Sequence, residues 1–324
     1  GAIYDQIVSL GELMSSKLLT VYLQQKGKRA HWLDVRNVIV TDKRHQEARV
    51  DFLVTQEHVN DKVSPLFEET DVLVTQGFIG AEPGGLTTTL GREGSDYSAA
   101  ILAFCLNVEA LTIWKDVPGV LTADPRRFEN VEKLDRMSYN EAIEMTYYGA
   151  QVIHPKTIRP LQNKGIKLHV KSFIDPEGEG TVIAHDGLLN YPPLVVIQDN
   201  MLLMHISSKD FSFIAENHLS QIFKVLNENR IKLGTMRNSA ISFTICVKDP
   251  GKEKLNKLIE DLGGIFTLDV YHNLQLMTVR YFNKNLIESL TKNKVVLFEE
   301  RMKYTIQLVV RPSLEMIEKK EEEK

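Results

Sequence analysis

Cysteine and long apolar segments are scarce in this sequence of 324 residues. Its only two cysteines, Cys105 and Cys246, lie far apart within apolar runs, so we predict two buried thiols in a reducing cytoplasm rather than a disulfide. No run of about 18 apolar residues occurs, and residues 1–30 lack a basic region followed by an apolar one. We therefore predict neither a membrane-spanning segment nor a secretory signal.

Excess charge of one sign is also lacking. Lysine and arginine together number 39 and aspartate and glutamate 43, which gives a net charge of −4. No stretch dense in lysine or arginine stands out, so neither nucleic acid nor a membrane surface is an expected partner. The hydrophobic fraction of 43% and the charged fraction of 25% are those of an ordinary folded soluble protein.

Familiar cofactor motifs are missing as well. No Gly-Lys-Ser/Thr follows the glycines, which excludes a P-loop, and no Rossmann fingerprint occurs. The nine histidines show no metal-ligand spacing, and two cysteines are too few for a zinc site. We expect no dedicated metal site, and any phosphate binding must use another scaffold.

A chain of this length is expected to form about two domains. Helices and short strands alternate over its first part, which predicts an α/β fold with an open, mostly parallel sheet and helices on both faces. The expected helices are 3–26, 58–69, 95–107, 138–148 and 155–164, and the expected strands are 30–34, 38–41, 71–76, 110–115 and 167–172. Because the pattern is helical from Tyr4 and no Met precedes it, we expect the chain to begin inside a domain.

Turn residues at 175–180 and 190–193 mark the expected linker, and a different order of elements follows it. The expected elements are strand 201–207, helix 218–229, strands 232–237 and 241–248, helix 252–262 and strand 266–271. This βαββαβ order is that of a ferredoxin-like module, which residues 274–311 repeat imperfectly. We predict domains at 1–190, 191–272 and 273–324, the last with a charged tail.

Glycines cluster between residues 77 and 94 and lead into the helix expected to start near Ser95 and Asp96. Glycine permits a close backbone approach, and a helix N-terminus presents free N–H groups to an anion. The guanidinium of Arg92 suits a planar carboxylate or phosphate. The alternative is that Ser95 or Asp96 only caps the helix, although capping does not require so many glycines upstream.

A second polar cluster, Lys115 and Asp116, ends an expected strand and enters a Pro-Gly turn. Such a position at the carboxyl edge of the sheet suits a nucleotide, although the turn alone is not specific for one.

Glu12 lies within an apolar helix, where a solvated position and a ligand-binding role are equal alternatives. His154, directly before a proline, is more typical of a helix cap than of a catalyst.

Together, several short motifs resemble those of the aspartate kinase (aspartokinase) family, in its monofunctional, lysine-sensitive type. They lie in order at residues 9–15, 34–36, 76–80, 87–97, 114–119, 122–126 and 149–155. The run Gly-Arg-Glu-Gly-Ser-Asp-Tyr at 91–97 is highly specific. The resemblance implies an amino-acid-kinase catalytic domain followed by α+β ferredoxin-like ACT regulatory domains.

The reaction that the resemblance implies is phosphoryl transfer from MgATP to the β-carboxylate of L-aspartate, which gives 4-phospho-L-aspartate for lysine, threonine and methionine biosynthesis. ATP and Mg²⁺ are therefore the implied cofactors, without a protein metal cage. By the same resemblance, Asp96 is catalytic, Glu12 holds the substrate ammonium group, and Arg92 holds a substrate carboxylate with Ser95 beside it. The implied nucleotide-binding residues are Lys115, Asp116, Leu121, Arg126 and Gln151.

The resemblance also implies feedback control by an amino acid. Lysine is the first expected effector and threonine the second. The resemblance also implies a cytoplasmic homodimer that forms through the ACT domains. The implied effector residues are Ser207, Ser208, Phe211 and Phe213, although both serines suit a plain strand-to-helix turn equally well. Gly234 stands where lysine-sensitive members have an acid.

The chain departs from the family pattern at three further places. The N-terminal Lys-Phe-Gly-Gly-Thr-Ser motif, which supplies the catalytic lysine, does not occur in it, so we expect residues 1–324 alone to show little aspartate-dependent ATP turnover. Gln151 replaces a common lysine, and Lys115, in place of a common threonine, is expected to compensate. Two alternatives stay open: another kinase of the same fold, acting on glutamate, acetylglutamate or UMP, and an inactive amino-acid-sensing or assembly module.

Overall fold

The computed structural model describes residues 1–150, 153–188, 190–210 and 212–312. The chain forms two compact units. The first consists of Gly1–Leu121 and Lys133–Leu189, and the second of Thr122–Glu132 and Asn190–Lys324. The domain boundaries that the sequence predicts at 190 and 272 stay predictions.

The first unit combines helices with short strands. Its helices are α1 (Ala2–Gln25), α2 (Phe52–His58), α3 (Gly94–Leu106), α4 (Tyr139–Tyr147) and α5 (Pro155–Lys164). Its strands are β1 (Ala30–Leu33), β2 (Val72–Thr75), β3 (Ile79–Ala81), β4 (Thr87–Thr89), β5 (Ala110–Lys115), β6 (Arg136–Ser138), β7 (Lys167–Ser172) and β8 (Thr181–Ala184).

These strands pair in the orders β1-β2, β3-β4 and β5-β7-β8-β6. The pairs β1–β2, β5–β7 and β6–β8 are parallel, whereas β3–β4 and β7–β8 are antiparallel. The α/β class and the prevalence of parallel pairs are confirmed. The strands lie in three separate sheets rather than in one open sheet.

Helix α1 turns polar side chains toward the protein. Its buried residues are Asp5, Ser9, Ser16 and Thr20, whereas Ile3, Ile7, Leu10, Met14, Leu18 and Val21 are exposed. The hydroxyl of Ser16 accepts hydrogen bonds from Trp32 Nε1 at 3.0 Å and from Gln76 Nε2 at 2.8 Å. The apolar spacing predicts the helix correctly, but these polar contacts decide which face lies inside.

Two predictions for the segment before β2 are wrong. Helix α2 begins at Phe52 rather than at residue 58, because the carboxylate of Asp51 caps it by accepting hydrogen bonds from the next N–H groups. A π-helix at Val59–Val63 and a 3₁₀-helix at Ser64–Glu68 stand in place of the α-helix predicted over 58–69. Residues 38–41 make only isolated bridges, from Val40 to Ala81 and from Thr41 to Val50.

The second unit is built around one antiparallel sheet. Its elements are β9 (Leu194–Ser208), α6 (Glu216–Glu228), β10 (Leu233–Asn238), β11 (Ser242–Lys248), α7 (Lys252–Gly263), β12 (Phe266–Arg280), α8 (Lys284–Thr291), β13 (Lys294–Arg301) and β14 (Thr305–Pro312). The strand order is β10-β11-β9-β12-β14-β13. Its first four strands, with α6 and α7 between them in sequence, form the predicted ferredoxin-like module.

Strand β12 continues to Arg280, where the sequence predicts a strand 266–271 and a separate partial repeat that starts at 274. Its pairing with β9 shifts register between Tyr271 and Leu274, and Asn273 has a positive φ of 56°. Such a bulge absorbs extra residues without ending the strand. Strand β9 starts at Leu194 and pairs with β12 on both sides of the bulge, so the module and its partial repeat share one sheet.

Both cysteines are buried and free, as predicted. Burial raises the pKa of the Cys105 thiol to about 11 and that of the Cys246 thiol to about 12. Both thiols are therefore protonated at neutral pH. Within the described ranges, none of the helices is long and apolar enough to cross a membrane.

Candidate functional site

A cleft of about 760 Å³ opens at the amino end of α3 in the first unit. Its lining residues are Tyr4, Glu12, Gln46, Phe78, Thr89, Gly91, Arg92, Glu93, Gly94, Ser95, Asp96 and Lys115. The structure thus brings together residues from the first helix, the glycine-rich segment and the end of β5.

The turn before α3 is packed closely against the end of β2. A Cβ atom on Gly77 would lie 2.8 Å from Cβ of Ser95, and Gly91 has a φ of +80° that suits glycine. The N–H of Phe78 donates to Oγ of Ser98 at 2.9 Å, which connects the residues after β2 to α3. Helix α3 therefore begins at the cleft, and the positive end of its dipole is available to an anion. The N–H of Gly94 is already paired, since it donates to the carbonyl of Gly91 at 3.0 Å.

An ion pair joins the two polar clusters predicted from the sequence. Lys115 is the last residue of β5, and Asp96 lies in the first turn of α3. Lys115 Nζ donates to Asp96 Oδ2 at 2.8 Å, and the two side chains are 31% and 15% exposed. This partial shielding from water strengthens a charge-assisted hydrogen bond.

Two further charges of opposite sign face the same cleft. Glu12 is half-buried on α1, and Arg92 is exposed in the turn before α3. Neither side chain forms an ion pair with another residue that the structure describes. The Arg92 guanidinium can therefore bind a ligand carboxylate in a bidentate manner, and the Glu12 carboxylate can bind a ligand ammonium group.

Sequence reasoning missed Asp5, which is completely buried beside the cleft. Its carboxylate is hydrogen-bonded to His45 Nδ1 at 2.9 Å and to Thr89 Oγ1 at 2.9 Å. It also accepts hydrogen bonds from the backbone N–H groups of Gln46 and Thr89. Asp5 therefore positions Gln46 and Thr89, which line the cleft. In the sequence, only its place on the same helical face as Ser9 and Ser16 could have indicated this role.

Glu93 is a second residue that sequence reasoning did not single out. It precedes α3 with a φ of 54°, and its side chain does not cap the helix. Its Oε2 atom is buried without a hydrogen-bond partner among the described residues. Buried polar atoms of this kind are rare and destabilising. Glu93 is therefore a further acid in the cleft, and no described residue serves as a hydrogen-bond partner of its Oε2 atom.

The model of the amino acid kinase family matches residues 2–172 of the chain. The chain belongs to the amino acid kinase family. Within this family it is 33% identical to lysine-sensitive aspartokinase 3 of Escherichia coli (strain K12) over 287 residues, which cover 86% of the chain and 63% of that protein. It is 27% identical to an aspartokinase of Schizosaccharomyces pombe, covering 85% of the chain and 57% of that protein.

Solved structures of this family give the same picture. The fold is similar to that of E. coli aspartokinase III in complex with aspartate and ADP, with a TM-score of 0.80, 28% identity and coverage of 98% of this chain and 74% of that chain. For the complex with lysine and aspartate, the TM-score is 0.76 at 29% identity, and 96% and 72% of the two chains are covered. The predicted resemblance and fold class are confirmed, while the chain spans less than two-thirds of the length of the two curated relatives.

The structure does not place the other predicted nucleotide residues among those that line the cleft. Asp116 is exposed directly after β5, and Leu121 forms an isolated bridge with Lys133. Arg126 is 82% exposed and its guanidinium binds Asp124, with Nη2 2.8 Å from Oδ2. Gln151 lies outside the described residues.

Arg126 belongs to Thr122–Glu132, the segment that folds with the second unit. In that unit Arg127 forms an ion pair with Asp199 on β9, and its hydrogen bond lowers the pKa of the Asp199 carboxyl. The N–H of Val195 donates to the carbonyl of Thr122 at 2.8 Å. These contacts account for the conformation of the segment without a ligand.

The predicted effector residues lie at the end of β9 and in the loop that follows it. Ser207 pairs within the sheet, and the Ser208 hydroxyl donates to the carbonyl of Ser212 at 2.7 Å, which is a turn contact. Phe213 is 74% exposed, and Phe211 lies outside the described residues. Gly234 has a packing reason, because a Cβ there would lie 2.8 Å from Cδ2 of Leu276.

Proposed function

We propose that this chain forms the catalytic and regulatory part of an aspartate kinase, which transfers the γ-phosphoryl group of ATP to the β-carboxylate of L-aspartate. The observation that supports it best is the charge pattern of one cleft. Arg92 offers a site for a substrate carboxylate, Glu12 one for an ammonium group, and the amino end of α3 one for an anion. A dicarboxylic amino acid and a nucleotide together present these groups.

The reaction needs little covalent chemistry from the protein. An oxygen of the β-carboxylate bonds to the γ-phosphorus while the bond from that phosphorus to the bridging oxygen breaks, so that ADP leaves with the electron pair. The carboxylate is ionised at neutral pH, so no general base has to remove a proton. Positioning and charge neutralisation are the tasks of the side chains, and we assign them to Glu12, Arg92, Ser95 and Asp96.

The nucleotide side of the site is proposed to comprise Lys115, Asp116, Leu121 and Gln151. Arg126, which belongs to the second unit, stays a prediction of the resemblance. Magnesium would neutralise phosphate charge when bound. Since no group of three or more His, Cys, Asp or Glu side chains in the described part of the chain could hold a metal ion, the phosphates and water would supply most of its ligands. This donor set fits Mg²⁺ that arrives with the nucleotide.

The second unit is proposed to be a pair of ACT-type modules that bind an amino-acid effector. Lysine is the first expected effector and threonine the second. We also propose that these modules form a cytoplasmic homodimer. Support comes from the sheet, whose outer strands in the described residues are β10 and β13. Met236 on β10 and Val296 on β13 are 46% and 40% exposed. Uncovered apolar edges favour pairing with another chain. Ser207, Ser208, Phe211 and Phe213 are the proposed effector residues.

A panel of acceptors tests the proposed reaction in the natural protein that contains residues 1–324. We expect MgATP-dependent ADP release with L-aspartate, and hydroxylamine should trap the acyl phosphate as a hydroxamate. Turnover with L-glutamate, N-acetylglutamate or UMP instead would identify another kinase of the same fold. Binding of L-aspartate without turnover would identify an amino-acid-sensing module.

A further inference from the structure

A cavity of about 590 Å³ lies within the second unit. Its volume is in the range of small-molecule sites, which is about 300–1,000 Å³. Strands β9, β11 and β12, the turn after β11 and helix α7 contribute to its lining. Six of the lining residues have polar side chains: Asn200, Lys248, Asp249, Lys252, Asn256 and His272.

The local backbone explains why these residues meet. Asn200 of β9 has a positive φ of 56°, and its carbonyl accepts a hydrogen bond from the N–H of Asp249 at 2.8 Å. Strand β11 ends at Lys248, and Oδ1 of Asp249 accepts from the N–H of Gly251 at 2.8 Å, which closes the turn into α7. His272 lies at the bulge of β12. These contacts belong to the fold itself, so the cavity is preformed.

Helix α7 turns one face toward the cavity. Its four lining residues are spaced as i, i+3, i+4 and i+7, which places them on one side of the helix: Lys252, Leu255, Asn256 and Ile259. Leu255 is buried and Ile259 is 36% exposed, so this face adds apolar surface to the cavity. A ligand with polar groups and a short apolar part suits such a wall.

The fold leaves most polar side chains of the cavity without a partner. The Oδ1 atom of Asp249 is used in the turn, whereas its Oδ2 atom is available to a ligand. The other five polar side chains form no hydrogen bond or ion pair with any residue that the structure describes: Asn200, Lys248, Lys252, Asn256 and His272.

The charges around the cavity favour one class of ligand. Its two lysines exceed its single acid, Asp249, so the cavity attracts a carboxylate. The Oδ2 atom of Asp249 can accept a hydrogen bond from an ammonium group, and the amides of Asn200 and Asn256 can bind a hydroxyl. A second ammonium group on the ligand would be repelled by the lysines. These groups together match an α-amino acid whose side chain is uncharged and polar.

We infer that this cavity binds a free α-amino acid with an uncharged polar side chain, such as threonine. Its carboxylate lies between Lys248 and Lys252, and its ammonium group lies at Asp249. The inference rests on the proposed regulatory function of the second unit and adds a binding site to it. This site is separate from residues 207–213, because Ser207 lies roughly 20 Å beyond Asn200 along β9 at the usual rise of a strand.

Calorimetric titration of L-threonine into the full chain of residues 1–324 tests the inference. We expect one site per chain and at least about tenfold weaker binding in Asp249→Asn, as for loss of a hydrogen bond to a charged group. The asparagine Oδ1 atom can still accept from Gly251, so the turn should stay folded. Lys252→Met should weaken binding by a similar factor. The matched control is Lys257→Met, an exposed lysine of the same helix outside the cavity, which should leave the affinity unchanged.

A titration with L-lysine tests the class of the ligand. Because its second ammonium group excludes lysine from this cavity, any binding of L-lysine should be the same in Asp249→Asn as in the wild type. An equal loss of affinity for both amino acids in this variant would overturn the preference for an uncharged side chain.

The remaining outcomes separate the cavity from the regulatory function. Threonine binding that Asp249→Asn and Lys252→Met leave unchanged rejects this cavity as the site, while the proposed regulatory function stands. A chain that binds inorganic phosphate but no threonine has a plain anion site there, which overturns the inference. A wild-type chain that binds neither threonine nor lysine rejects the regulatory function together with the inference.

Discussion

Single side chains of the cleft divide into those placed by a local turn and those placed by distant contacts. Arg92, Ser95 and Asp96 belong to the first group, because a glycine-rich turn followed by a helix puts neighbouring residues at the same helix end. Their shared location could therefore be predicted from sequence. Asp5 belongs to the second group, since its partners lie 40 and 84 residues away in the chain.

Replacement of Asp5 tests how much this buried carboxylate contributes to stability. In Asp5→Asn, an amide NH₂ group faces donors from Gln46 and Thr89, so hydrogen bonds are lost and a donor is left without an acceptor. We expect the free energy of unfolding in urea to fall by about 1–3 kcal/mol. The control is Asp71→Asn, whose partner Arg29 is exposed, and which should leave the urea midpoint close to that of the wild type. Equal midpoints for both variants would contradict a structural role for Asp5.

Whole elements were predicted well wherever one hydrophobic period extended over their length. Helices α3, α4, α5 and α7 and strands β5 and β7 match their predicted ranges within a residue or two. The errors at α2 and β12 have local causes, a capping aspartate in one case and a bulge in the other. The orientation of α1 could not be predicted, because hydrophobic spacing locates an apolar face but not the polar partners that bury the other face.

The whole molecule is proposed to pair with a second copy through its second unit. Sedimentation of the full chain should give a dimer, and Val296→Lys should shift it toward the monomer, because a charged residue on an outer strand disfavours edge pairing. Leu53→Lys, at an exposed apolar position in the first unit, is the control and should leave the dimer intact.

In a calorimetric titration, addition of lysine or threonine to the wild-type chain should release or absorb heat. A monomeric chain without heat from either amino acid would reject both the dimer and the effector.

We propose that the cleft at the start of α3 holds L-aspartate between Arg92 and Glu12. Calorimetric titration of L-aspartate into residues 1–324 and into its Arg92→Ala variant tests this most directly. We predict one site per wild-type chain and at least about tenfold weaker binding in Arg92→Ala, since a bidentate carboxylate contact is lost. Arg159→Ala, an exposed residue on α5, should bind aspartate as the wild type does. Equal affinity of the wild type and Arg92→Ala for L-aspartate would contradict the account.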